Sequence, residues 1–194
     1  MFTINEDVMG DKIEIKKSVF TTFINKISCE NDAIILISVI KKNYPDATHI
    51  CYAYIVDNIE RCTDDGEPSG TAGKPILNVL KRKNLTNVLV VVVRYFGGVK
   101  LGAGGLVRAY TEAVTECLKK ATIIDIKQMC NISFHIDYDK AFNIYVLTNL
   151  KYFSILERVG NNFVITCEPS YLQESLNAIK QYNVTNIKIE NVKV

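Results

Sequence analysis

The chain has 194 residues, 48% of them hydrophobic and 23% charged, an ordinary globular composition with room for one domain or two small ones. A formal net charge of +2 by itself argues for no partner. The longest apolar run is about six residues where a membrane-spanning helix needs roughly 20, and no charged-then-apolar leader opens the chain, so a cytoplasmic protein with no membrane partner is expected.

In chain order, Ile13, Ile15, Val19, Thr21 and Phe23 alternate with polar residues, which predicts two strands, or one bent strand, broken at Lys16-Lys17-Ser18. A helix is expected from Asn31 to Asn43, capped by Asn31 or Asp32. His49–Val56 reads as an interior strand. Residues 57–75 read as one long polar loop, a length that is uncommon without function. It carries Asp64, Asp65 and Glu67, and Gly66, Gly70 and Gly73. Pro75 opens the next helix, which ends in Lys81-Arg82-Lys83, where cations suit the helix dipole.

Val88–Val93 does not alternate, so both faces of that strand must be covered. It ends at Arg94-Tyr95-Phe96 and breaks into a loop that holds five of the ten glycines: Gly97, Gly98, Gly102, Gly104 and Gly105. Leu106, Tyr110, Ala113, Val114 and Cys117 then recur at helical spacing, and Ile123–Ile126 reads as a short closing strand. From Met129 the pattern is strand, helix (Ala141, Ile144, Leu147), a hairpin around Gly160, helix and strand. That order, β-α-β-β-α-β, is the ferredoxin-like arrangement. Two domains are therefore expected, 1–127 and 128–194, in an α+β chain.

From Lys74 to Thr111 there are seven basic residues and no acidic one. Each glycine loop precedes a helix, where backbone N–H groups and the positive end of the helix dipole suit an anion. Neither loop has the spacing of a nucleotide-binding motif, so no cofactor is expected. One helix terminus contributes only about 0.3 to 2 kcal/mol, so a polyanion with several contacts suits the loops better than a lone phosphate. The expected anion or nucleic-acid contacts are Lys74, Arg94, Tyr95, Gly97, Gly98, Lys100, Gly102, Gly104, Gly105 and Arg108. Arg94 has two readings, a phosphate contact or an ion pair with the acidic loop. Asp64, Asp65 and Glu67 read as solvated or self-bonded turn residues, or alternatively as Mg²⁺ ligands or an acid-base group. Cys62 with His49 as base is a further arrangement, though nothing in the sequence joins them. The six scattered cysteines, with no C-x-x-C, read as free thiols, and no resident metal is expected.

Asp64-Asp-Gly-Glu-Pro-Ser-Gly-Thr-Ala-Gly-Lys-Pro75, Val92-Val-Arg-Tyr-Phe-Gly-Gly98, Leu101-Gly-Ala-Gly-Gly-Leu-Val-Arg-Ala-Tyr110 and His49-Ile-Cys-Tyr-Ala-Tyr54 resemble the signatures of the YigZ/IMPACT family. The resemblance implies an N-terminal α/β domain like domain IV of elongation factor G, and a C-terminal ferredoxin-like domain like its domain V. Both are found in translation machinery. It supplies no catalytic residues, and binding is expected over turnover. The combined expectation is an RNA- or ribosome-binding protein of translation, working through a groove between Asp64–Lys74 and Arg94–Arg108. The alternatives are an enzyme acting on a phosphorylated or acyl substrate, and a protein-interaction regulator of translation.

Overall fold

The computed structural model describes residues 1–136 and 153–193, in two compact units, 1–125 and 126–194. In the first, an antiparallel sheet runs β2 (Val8–Met9), β4 (Ser18–Lys26), β7 (Val88–Tyr95), β5 (His49–Val56), β6 (Ile59–Thr63), with β3 (Ile13–Ile15) also on β4. Strands β1 (Phe2–Ile4) and β8 (Ile123–Asp125) form a separate two-stranded ribbon. The helices are α1 (Glu30–Asn43), α2 (Gly73–Arg82) and α3 (Ala103–Leu118).

Strand β7 lies at the centre, and its lack of alternation has the expected cause. Val88, Val90 and Val92 pack into a cluster with Ile76 and Leu80 of α2 and Tyr110 and Val114 of α3. Leu89, Val91 and Val93 pack on the other face with Ala33, Ile37 and Ile40 of α1. Each fully buried side chain of this kind stabilises the fold by about 1.5–3 kcal/mol, so this strand anchors both halves of the core. Its register with its neighbours positions the site: Arg94 pairs across the sheet with Phe20 on one side and His49 on the other. Paired residues share a sheet face.

Local details depart from the sequence reading in two places. The N-cap of α1 is Cys29, two or three residues earlier than the expected Asn31 or Asp32. Asp32 sits in the first turn and its Oδ2 accepts the Ser28 and Cys29 N–H groups at 2.8 and 3.2 Å. Residues 57–75 are not one loop. Asp57 takes a positive φ of 51° and a two-residue turn returns the chain as β6, an edge strand paired Val56↔Ile59 through Tyr52↔Thr63. An edge strand satisfies only one side of its backbone and leaves Glu60, Arg61 and Cys62 exposed, so its sequence is as polar as a loop. The break at Lys16-Lys17 is a two-residue hairpin turn, with φ of 48° and 65° and register Ile15↔Ser18.

In the second unit, the order of the antiparallel strands is β10 (Ser154–Val159), β11 (Asn162–Cys167), β9 (Gln128–His135), β12 (Thr185–Lys193), with α4 at Leu172–Lys180. Ile132, Phe134, Phe163, Ile165 and Ile179 form its core. His135 is half-buried, and its Nδ1 lies 3.0 Å from Asn162 Oδ1. The helix expected around Ala141–Leu147 lies outside the described residues.

Candidate functional site

The acidic loop is used by the protein itself. Asp64 Oδ1 accepts the N–H groups of Ala72 and Gly73 at 2.9 and 2.8 Å, and Oδ2 accepts that of Gly70 at 2.7 Å. It satisfies orphan donors at the start of α2 and sits at the positive end of its dipole. The anion site expected in this loop is therefore filled by a carboxylate of the chain. Burial works against that charge, but the three N–H groups and Lys74 prevail and hold the carboxyl below its ordinary 3.8. A lowered folded-state value stabilises the fold above the unfolded pKa, and the contribution is lost as pH falls through it. Asp64→Ala is expected to cost about 1–2 kcal/mol at neutral pH, and the melting-temperature gap from wild type should narrow as pH drops below about 4. A gap that is independent of pH would refute the charge's role.

Asp65 also turns inward to its own chain. Its Oδ2 accepts the Ile50 N–H at 2.6 Å and its Oδ1 lies 3.7 Å from Lys41 Nζ. The left-handed pair Asp65 (φ 44°) and Gly66 (φ 85°) then turns Glu67 toward the core. The three carboxylates thus serve three different partners and do not converge as ligands of one ion. Among the described residues no group of three His, Cys, Asp or Glu side chains could hold a metal.

Glu67 is the hub. Its side chain is 3% exposed and that of Arg94 5%. Glu67 Oε1 accepts from Arg94 Nη1 at 2.5 Å and from the Tyr110 hydroxyl at 2.8 Å. Arg94 Nη2 donates to Ser18 Oγ at 3.1 Å, and the guanidinium lies 5.5 and 5.6 Å from the rings of Phe20 and Phe96. Of the two readings of Arg94, the ion pair with the acidic loop is the one found, with Glu67 rather than Asp64 as partner. A side chain so buried is a positioning group, so Arg94 is corrected from phosphate contact to scaffold. Behind it, Cys51 Sγ lies 3.2 Å from Tyr110 Oη and 3.0 Å from the Asp64 carbonyl. Burial pushes the Cys51 thiol up to about 12 and raises the Tyr110 hydroxyl as well, so both stay neutral. Cys62 is exposed on β6 with its thiol pushed up by burial and by Asp64, which is the opposite of an activated nucleophile.

In front of this hub is an open cleft of about 360 Å³, bordered by His49, Glu67, Arg94, Phe96, Lys100 and the first residues of α3. Gly102, at φ 73°, is the N-cap of α3 and offers no side chain to the first turn, which also contains no acid. The positive end of α3 is thus open where that of α2 is closed by Asp64. Lys100 is exposed beside it. Gly98, Gly102 and Gly104 face open space, whereas Gly97 is pressed against the Lys17 carbonyl and serves packing. Tyr95 points to the other sheet face and packs on the α1 side, so it is corrected from the groove. Phe96, 45% exposed, is the aromatic at the rim. Lys74 and Arg108 are exposed but do not border the cleft.

His49, offered by the sequence as a base for Cys62, instead faces Asp65 and Glu67. Its Nδ1 lies 2.9 Å from the Asp65 carbonyl, which only accepts, so Nδ1 carries the proton. Nε2 is then directed to Glu67 Oε2 at 3.8 Å. The strand pairing His49↔Arg94 makes this juxtaposition. The sequence shows His49 at a strand entrance and at the head of the stretch His49–Tyr54, but not that Glu67 is its neighbour.

Comparison with known proteins agrees over this unit. The Impact N-terminal domain matches residues 16–118. The IMPACT family member YvyE of Bacillus subtilis (strain 168) is 45% identical over 141 residues, 71% of this chain and 64% of the relative. The IMPACT family member YigZ of Escherichia coli (strain K12) is 40% identical over 114 residues, 56% of each. The chain thus spans less than two thirds of these curated relatives. A solved structure described as that of a hypothetical protein covers 97% of this chain with 95% of its own, at 26% identity and a TM-score of 0.70. The domain match takes in the acidic loop, Arg94 and the glycine turn into α3, and on it this chain belongs to the YigZ/IMPACT family.

Proposed function

We propose that this protein acts in translation by contacting RNA or a ribonucleoprotein through the glycine-rich start of α3. The observation that carries the reading is the uncapped positive end of α3 beside exposed Lys100 and the rim aromatic Phe96. Backbone N–H groups, a cation and an exposed ring are the elements that hold a single-stranded phosphate backbone and its bases. Lys100, Arg108 and Lys74 are the solvent-facing cations of the surface, and Arg94 holds its shape from beneath. The family resemblance supplies the setting, with the first unit read as like domain IV of elongation factor G. The order β10-β11-β9-β12 supports the ferredoxin-like reading of the second unit, since this is the sequence 2-3-1-4 of that fold. Exposed Ile34, Ile35 and Val39 on α1 support a protein partner in addition.

With about three cations on a single strand, log affinity for labelled single-stranded RNA should fall against log salt with a slope of about −2. Lys100→Gln with Arg108→Gln should flatten the slope to about −0.7 without loss of fold. No binding at low salt, or a slope unchanged in the double variant, refutes the reading.

A further inference from the structure

We propose that the cleft is a base pocket: it admits one nucleotide whose base carries an exocyclic amine, adenine, cytosine or guanine rather than uracil, while the phosphate stays at the rim on the start of α3 and Lys100. The proposal rests on the RNA reading above and adds the specificity. It follows from two acceptors at the cleft floor. With its Nδ1–H given to the Asp65 carbonyl, the Nδ1–H tautomer of His49 presents a lone pair at Nε2. Glu67 Oε1 is used by Arg94 and Tyr110, but Oε2 accepts no hydrogen bond among the described residues, although its side chain is 97% buried by the 3% exposure given above. Nε2 and Oε2 stand 3.8 Å apart, and both residues border the cleft. Two lone pairs at that spacing call for one group with two N–H donors at the apex, about 2.9 Å from each.

An exocyclic amine is such a group. A uracil carbonyl in the same place would be a third acceptor facing two, and a site built to receive hydrogen bonds rejects a ligand that cannot donate them. A phosphate is excluded from the floor by the carboxylate, which separates the anion end of the site from the donor end. The other features fit a base. Phe96 at the rim offers a face for stacking and is itself held by the Arg94 guanidinium 5.6 Å from its centre. The volume, about 360 Å³, is at the small end of ligand pockets. Arg94 Nε is buried without a partner among the described residues, a second unspent polar group bordering the same cleft.

The test uses the full chain and a ligand series in which one pair differs only at the amine. Adenosine monophosphate, its N6-dimethyl analogue, uridine monophosphate and inorganic phosphate are titrated separately by calorimetry. Adenosine monophosphate should bind about tenfold or more tighter than each of the other three. His49→Phe, which keeps the ring volume and removes both nitrogens, should abolish that preference. Should this variant fail to fold, the ligand series on the wild-type protein decides alone. Equal affinity for the three nucleotides overturns the base pocket, and if RNA still binds with the salt slope given above, the RNA reading survives without it. Saturation by methylamine, titrated in the same way, with no binding of adenosine monophosphate also overturns it, in favour of an amine from a protein. RNA binding absent at low salt removes both readings.

Discussion

Glu67→Ala is expected to destabilise the first unit by about 3–5 kcal/mol, a substantial share of the 5–15 kcal/mol that holds a typical domain folded. The substitution strands the guanidinium of the buried Arg94, with only the Ser18 hydroxyl as a side-chain hydrogen-bond acceptor among the described residues, and it removes the acceptor of the Tyr110 hydroxyl. A buried charge that loses its partner carries its desolvation cost uncompensated. Arg94→Ala should be comparably costly, because it leaves the carboxylate in the same surroundings. The double variant Glu67→Leu with Arg94→Met should recover much of the loss, since apolar groups of similar size need no partner. Denaturant unfolding followed by tyrosine fluorescence suits a chain with ten Tyr and no Trp. Single variants that lose less than about 1 kcal/mol would show that water compensates the charge and that the hub is not closed.

Gly97→Ala should be nearly as damaging, by about 3 kcal/mol, whereas Gly104→Ala should be neutral or mildly stabilising. A Cβ on Gly97 would stand 1.9 Å from the Lys17 carbonyl oxygen, a backbone atom of the β3–β4 turn that cannot yield by rotating a side chain. Relief requires the turn and the glycine loop to separate. That separation would break the bonds from Gly97 N–H and Arg94 to Ser18 Oγ, 3.3 and 3.1 Å, and so disturb the Glu67 hub. At Gly104 the same Cβ meets nothing within 4 Å, and alanine is the better helix former by up to about 1 kcal/mol. The comparison separates a glycine kept for packing from one kept for access: if Gly104→Ala leaves stability intact but weakens RNA binding, its place at the open start of α3 is the reason. Equal stability of the two variants would refute the clash.

How much of this was legible in the sequence depends on how local the cause is. The central strand β7 could be read from its run of apolar residues, because burial on both faces removes alternation whatever the neighbours are. The helices after each glycine loop and the turn at Lys16-Lys17 are similarly local. Strand β6 was not legible, because an edge strand with a solvated face has the composition of a loop. The cap of α1 was missed by two or three positions because a cysteine can occupy an N-cap when the residue three positions on supplies the carboxylate.

The candidate site divides in the same way. The sequence alone determined that the glycine loops open helices, that charge of one sign gathers between Lys74 and Arg108, and that the chain carries the family's motifs. Tertiary structure decided what each charge does. Asp64 lies within reach of the N–H groups of α2 and closes that helix end, while no side chain among the described residues caps the corresponding end of α3. Arg94, Glu67 and His49 are separated by 18 to 45 positions in the sequence, and they meet because antiparallel register sets His49 beside Arg94 and the Asp65–Gly66 turn sends Glu67 beneath them. Ionic side chains look alike in a sequence whether they face solvent or each other. Burial decides, because in the interior a charge persists only opposite its partner, and burial is a property of the assembled sheet and helices.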